Sequence, residues 1–257
     1  RKLPMAADVA FWRDGNVIYL VLEEMTMIKN EIIARNPLIN LGYDNEYILN
    51  DGALGAVLAH AGVGKTALLV QVALHAMLHE RPVLHVSLND AVSKVDVWYR
   101  ELFYDIAGKY DSAEIRDLWE QALVYRFIMT IQVEGFSVAK FEERLTDLMQ
   151  QNIFKPHTVI IDGLKFDDSG RGPLLELKEM AARYAMRIWF TVHTHRHEPP
   201  QQDGIPMSFR HVADLFDVLV ELKAEGQQIE IKPLKGQSAE AKKDAIRIDP
   251  TTMLIKG

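Results

Sequence analysis

Lys65 and Thr66 close the run Ala59–Thr66, which reads AHAGVGKT and carries glycines at Gly62 and Gly64. A lysine and a hydroxyl behind closely spaced glycines suit one kind of chemistry, the cradling of a polyphosphate. Where no Cβ obstructs the turn, successive backbone N–H groups can point inward at phosphate oxygens. The pattern is G-x-x-x-x-G-K-[ST], with Ala59 where the first glycine would stand. Lys65 is expected to reach the β- and γ-phosphates and Thr66 to ligate Mg²⁺. The backbone of Ala61, Gly62, Val63, Gly64, Lys65, Thr66 and Ala67 is the candidate cradle.

Such a loop works only between a strand and a helix, and the flanks supply both. Gly55 to Leu58 is a short apolar run, and Ala67 to Leu74 opens a helix whose positive N-terminus would face an anion. Further strands are expected at Val83–Leu88, Phe127–Val133, Thr158–Asp162 and Ile188–Val192. Helices are expected at 95–107, 113–123, 137–151 and 174–186. The helix at 137–151 shows the clearest apolar stripe, through Val138, Phe141, Leu145, Leu148 and Met149. Apolar strands alternating with amphipathic helices predict an α/β fold, a mostly parallel central sheet covered on both faces. Val218–Leu222, Gln228–Lys232 and Ala245–Ile248 read as a C-terminal β meander. Residues 1–50 read as an N-terminal appendage, strand-like over Asn16–Leu22 and helical over Glu23–Arg35, ahead of a core at 51–257.

A phosphate loop needs a carboxylate at the end of a neighbouring strand to hold the metal. Asp162, closing the apolar run Thr158–Ile161, is the candidate. The sequence Ser87-Leu88-Asn89-Asp90 closes the strand after the loop helix. Together with Ile161-Asp162-Gly163-Leu164 and a later strand ending His193-Thr194-His195-Arg196, it resembles the RecA-like ATPases over roughly residues 50 to 236. Within them the chain is similar to the branch of KaiC-like proteins and of hexameric replicative helicases of the DnaB and RepA type.

That resemblance implies a RecA-like P-loop fold, ATP and Mg²⁺ as cofactors, and a homo-oligomeric ring, a hexamer in the helicases. The branch tolerates alanine at the first loop position. Its register puts Asn89 and Asp90 where a glutamate base would stand, so Asp90 is the candidate base, with a cap on the following helix as the competing reading. It places His193 at the polar sensor of the γ-phosphate. Lys232 and Lys235 fall on the hairpin that reaches a neighbouring subunit in such rings, where a solvated basic hairpin is the alternative. Lys242, Lys243 and Arg247 extend that positive segment. The spacing of His193, His195 and His197, and of His75 and His79, admits a metal site, against which packed or solvated histidines are the favoured reading.

Composition narrows the partners. The 257-residue chain is 48% hydrophobic, lacks cysteine and carries a formal charge of -7. Without cysteine there is no disulfide framework or thiolate metal site. The acidic balance disfavours nonspecific nucleic-acid binding. No run approaches the roughly 20 apolar residues of a membrane span, so no membrane role and a cytoplasmic location are expected. The expected activity is slow ATP hydrolysis that drives a conformational or assembly change. A DNA helicase or remodelling motor and a non-hydrolysing nucleotide-binding domain are the alternatives.

Overall fold

The computed structural model describes residues 15–43, 48–108, 113–166, 170–194, 203–236 and 245–255. His195, Arg196, His197, Lys242 and Lys243 lie outside them. Among the described residues eight strands form one sheet: β1 (Leu54–Ala59), β2 (Val83–Ser87), β3 (Arg126–Thr130), β4 (Thr158–Asp162), β5 (Arg187–His193), β6 (Val218–Glu225), β7 (Gln228–Lys235) and β8 (Ile246–Ile248). Their order is β3-β2-β4-β5-β1-β6-β7-β8. The first six run parallel, and β7 and β8 add an antiparallel meander. The expected α/β class, sheet and meander are therefore present.

Strand alternation sorts the core into two layers. Val57 and Ala59 of β1 join a buried cluster with helices α1 (Gly15–Ala34), α3 (Lys65–Leu78), α4 (Val92–Ala107) and α5 (Ala113–Leu123). Ala56 and Leu58 face the other way, into a cluster with α6 (Val138–Gln150) and α7 (Arg171–Arg183). A four-residue helix, α2 (Pro37–Asn40), follows α1; Asn36 Oδ1 caps it by accepting the Leu38 N–H at 2.9 Å. Chains leaving β1 and β2 turn to the first face, and those leaving β4 and β5 turn to the second. Neighbouring strands that part in this way open a crevice at their carboxyl ends, where open α/β sheets bind ligands.

One expected element differs in kind, and others differ at their ends. Asn16–Leu22 is not a strand but the first part of α1, which runs unbroken to Ala34. The β-branched content there is overridden because no glycine or proline interrupts residues 16–34, while Ile28, Ile32 and Ile33 recur at helical spacing and are buried. The third strand stops at Thr130, short of Val133. A 3-10 turn at Val133–Gly135, closed by the Gly135 N–H on the Gln132 carbonyl at 2.9 Å, takes the chain out of the sheet. The segment read as an appendage contributes Ile28, Ile32, Leu38, Leu41 and Leu49 to the same buried cluster as the loop helix.

Candidate phosphate and metal site

Ala59 ends β1 in register with His193 of β5 and is buried. Its backbone lies outside the left-handed region, so this first loop position does not require glycine. Gly62 and Gly64 are different, with φ of 77° and 105°. The loop from Ala59 to Gly64 curls around Lys65, whose Nζ donates to the carbonyl oxygens of Ala59 at 3.0 Å and His60 at 2.8 Å. Burial pulls the Lys65 ammonium below the usual lysine range, with the nearby Asp162 charge opposing. Gly64 is the N-cap of α3 and supplies no side-chain acceptor, so the first-turn N–H groups face the crevice without a side-chain cap.

Across the crevice, Asp162 closes β4 and is buried. Thr66 Oγ1 donates to its Oδ2 at 2.7 Å, and Thr191 Oγ1 of β5 donates to its Oδ1 at 2.6 Å. Thr191 Oγ1 also accepts the Gly163 N–H at 3.0 Å, tying the turn after β4 to its neighbour. Gly163 has φ of 96°, and a Cβ there would meet Asn89 Nδ2 at 2.1 Å. The amide expected at an acidic position thus packs on the turn that carries Asp162. A hydroxyl beside a carboxylate, both hard oxygen donors, is a fitting donor pair for Mg²⁺, and the curled loop with its lysine fits a triphosphate.

The other candidates fall as follows. Asp90 lies beyond β2; its N–H donates to Ser87 Oγ at 3.0 Å and its carboxylate accepts from Lys94 Nζ at 2.6 Å. The N-cap of α4 is Ala91, so Asp90 pairs with the first turn of that helix rather than capping it. His193 is exposed at the end of β5, beside the loop's first residue. Lys232 lies opposite Glu221 of the same chain, and Lys235 Nζ donates to the Ala213 carbonyl at 3.4 Å. His75 is buried in α3 with its ring 4.5 Å from that of His79.

Neither the protein-family models nor the curated proteins compared with this chain match it.

Several contacts had no motif to announce them. His60 Nδ1 lies 3.0 Å from Thr194 Oγ1 and 2.9 Å from its carbonyl oxygen, joining the loop to the exit of β5. Met253, in a left-handed conformation at φ 57°, packs on Gly64, where a Cβ would approach its Cε to 2.8 Å. Its carbonyl accepts from Gln71 Nε2 of α3 at 2.9 Å. Thr191 is readable only in retrospect, two residues before His193 on the same face of β5. At the amino ends of the strands, a cavity of about 510 Å³ is lined by Tyr43, Gly52, Lys178 and Asp217. Lys178 and Asp217 pair there at 3.1 Å, and Asp217 also accepts the Leu54 N–H, so its charged lining is already satisfied.

Proposed function

We propose that this protein is a RecA-like P-loop ATPase that binds Mg²⁺–ATP at Ala61–Ala67 and Asp162 and hydrolyses it slowly to change its own assembly. The observation that carries this reading is the Thr66–Asp162 hydrogen bond of 2.7 Å, which joins the phosphate loop to the strand-end carboxylate. Two motifs separated by 96 residues meet at the carboxyl edge of one sheet. β5 lies between β1 and β4 and contributes Thr191 to the same carboxylate.

Bound Mg²⁺ would neutralise charge on the β- and γ-phosphates. The protein's own part is to hold and orient. Gly62 and Gly64 turn loop N–H groups toward the phosphate oxygens, and the N-terminus of α3 adds its positive end. Lys65 exchanges loop carbonyls for phosphate oxygens. Thr66 and Asp162 would hold the metal, and Thr191 keeps the carboxylate aimed. His193, exposed at the end of β5, would meet the terminal phosphate, and Asp90 would orient water.

One observation favours the non-hydrolysing reading as the alternative. Asp90 is held by Lys94 at 2.6 Å, which engages the carboxylate that would have to orient the water. Titration with a fluorescent ATP analogue, with Mg²⁺ and with chelator, tests binding; phosphate release tests turnover. Lys65→Ala is expected to weaken Mg²⁺–ATP binding by tenfold or more, about 1.4 kcal/mol. Asp90→Asn abolishes turnover with binding intact if Asp90 orients the water. Unchanged turnover in that variant removes Asp90 from the mechanism.

A further inference from the structure

His85 stands on β2 two residues before Ser87, which lies opposite Asp162 in the parallel register. Its side chain shares the face of Asp162 and is fully buried, at 0% exposure. Nδ1 lies 3.1 Å from the Tyr99 hydroxyl of α4. Nε2 has no hydrogen-bond partner and lies 4.0 Å from Asp162 Oδ2. The ring thus bridges a dry interior and the metal-holding carboxylate.

The proton inventory of this pair has one economical solution. A neutral imidazole carries one N–H, and the His85 ring is fully buried, with the Tyr99 hydroxyl against one nitrogen and Asp162 beyond the other. Tyr99 is fully buried and its phenol is pushed well above the usual range, so it keeps its proton. If Nδ1 carried the ring proton, the phenolic hydrogen would be buried without an acceptor, which costs about 1–3 kcal/mol. If Tyr99 donates to Nδ1, its hydrogen is satisfied and the ring proton moves to Nε2, on the side of Asp162. The Arg126 guanidinium, stacked on the Tyr99 ring at 4.7 Å and paired with Asp96, holds the phenol from behind.

We infer that His85, locked by Tyr99 as its Nε2–H tautomer, is a positioning residue that directs a buried donor at Asp162 and thereby sets the Mg²⁺ affinity of the nucleotide site. The inference rests on the nucleotide-site reading above. At 4.0 Å the contact is a dipole facing a carboxylate and is longer than a hydrogen bond. A shift of about 1 Å would close it to hydrogen-bonding distance. Support of this kind behind a metal ligand commonly changes metal affinity by about 10–100-fold.

Two measurements test it. In nucleotide-free wild-type protein, ¹⁵N-resolved NMR of the histidine rings, with the His85 signals assigned by their loss in His85→Gln, is expected to show the proton on Nε2. A proton on Nδ1 overturns the inference without any variant having to fold. In the second measurement the Mg²⁺ concentration for half-maximal binding of the fluorescent ATP analogue is compared among wild type, His85→Phe and His85→Gln. His85→Phe should raise it about tenfold with binding in chelator unchanged, and His85→Gln, which keeps a donor, should recover most of the loss. Equal Mg²⁺ dependence in His85→Phe and wild type, or equal loss with and without Mg²⁺, overturns the inference while leaving the nucleotide site standing. Wild-type binding that ignores Mg²⁺ overturns both readings together.

Discussion

Thr191 uses one hydroxyl twice, donating to Asp162 Oδ1 and accepting the Gly163 N–H. Thr191→Val keeps the shape and removes both contacts. It should cost about 1–3 kcal/mol in urea denaturation, because the carboxylate and the N–H lose their buried partner. It should also raise the Mg²⁺ requirement for nucleotide binding. Glu221 offers a test in pH. Burial pushes its carboxyl up from the ordinary range, against the opposing charges of Lys232, Lys223 and His60. The native state therefore holds that proton more tightly than the unfolded chain does. Its contribution is fully present below the unfolded pKa, near 4.3, and is lost as pH rises through the native value. Glu221→Gln should accordingly raise the melting temperature at pH 7.5 and change it little at pH 3.5; an equal shift at both would contradict the assignment. Lys65, Thr66 and Asp162 were legible in the sequence because each occupies a motif whose spacing follows from its chemistry. Thr191, His60 and His85 were not, since each acts through a neighbour fixed only by strand order.

At the scale of elements, the strand, loop and helix around Lys65 were legible because apolar runs, glycines and a helical stripe agree there. Agreement failed at Asn16–Leu22. Local β-branched content pointed to a strand, and burial of Ile28, Ile32 and Ile33 against the loop helix made it part of α1. Ile32, at 4% exposure, is a direct probe of that packing. Ile32→Ala should cost about 2–5 kcal/mol in global unfolding. A separate early transition with the main one unmoved would instead make the segment an independent unit. The C-terminal turn was equally hidden. Met253 touches Gly64 across 189 residues of sequence, a contact that neither periodicity nor composition encodes.

On the scale of the whole molecule, no described helix is long and apolar enough to cross a membrane. The proposed oligomer follows from the resemblance to ring-forming ATPases. It is tested by mass in solution with and without Mg²⁺–ATP, for which nucleotide-dependent assembly is expected. A particle that stays monomeric in both conditions contradicts the assembly role. Titration with single-stranded DNA at two salt concentrations separates a DNA motor from that role, since tight, salt-sensitive binding that stimulates turnover belongs to the motor.

The Mg²⁺–nucleotide site itself is tested most directly by binding of the fluorescent ATP analogue to wild type, Lys65→Ala and Asp162→Asn, each measured with Mg²⁺ and with chelator. Saturable binding that strengthens with Mg²⁺ in wild type is expected, with loss in Lys65→Ala under both conditions. In Asp162→Asn the Mg²⁺ enhancement alone should disappear. Binding that is indifferent to Mg²⁺ in wild type, or that survives unchanged in both variants, would contradict it.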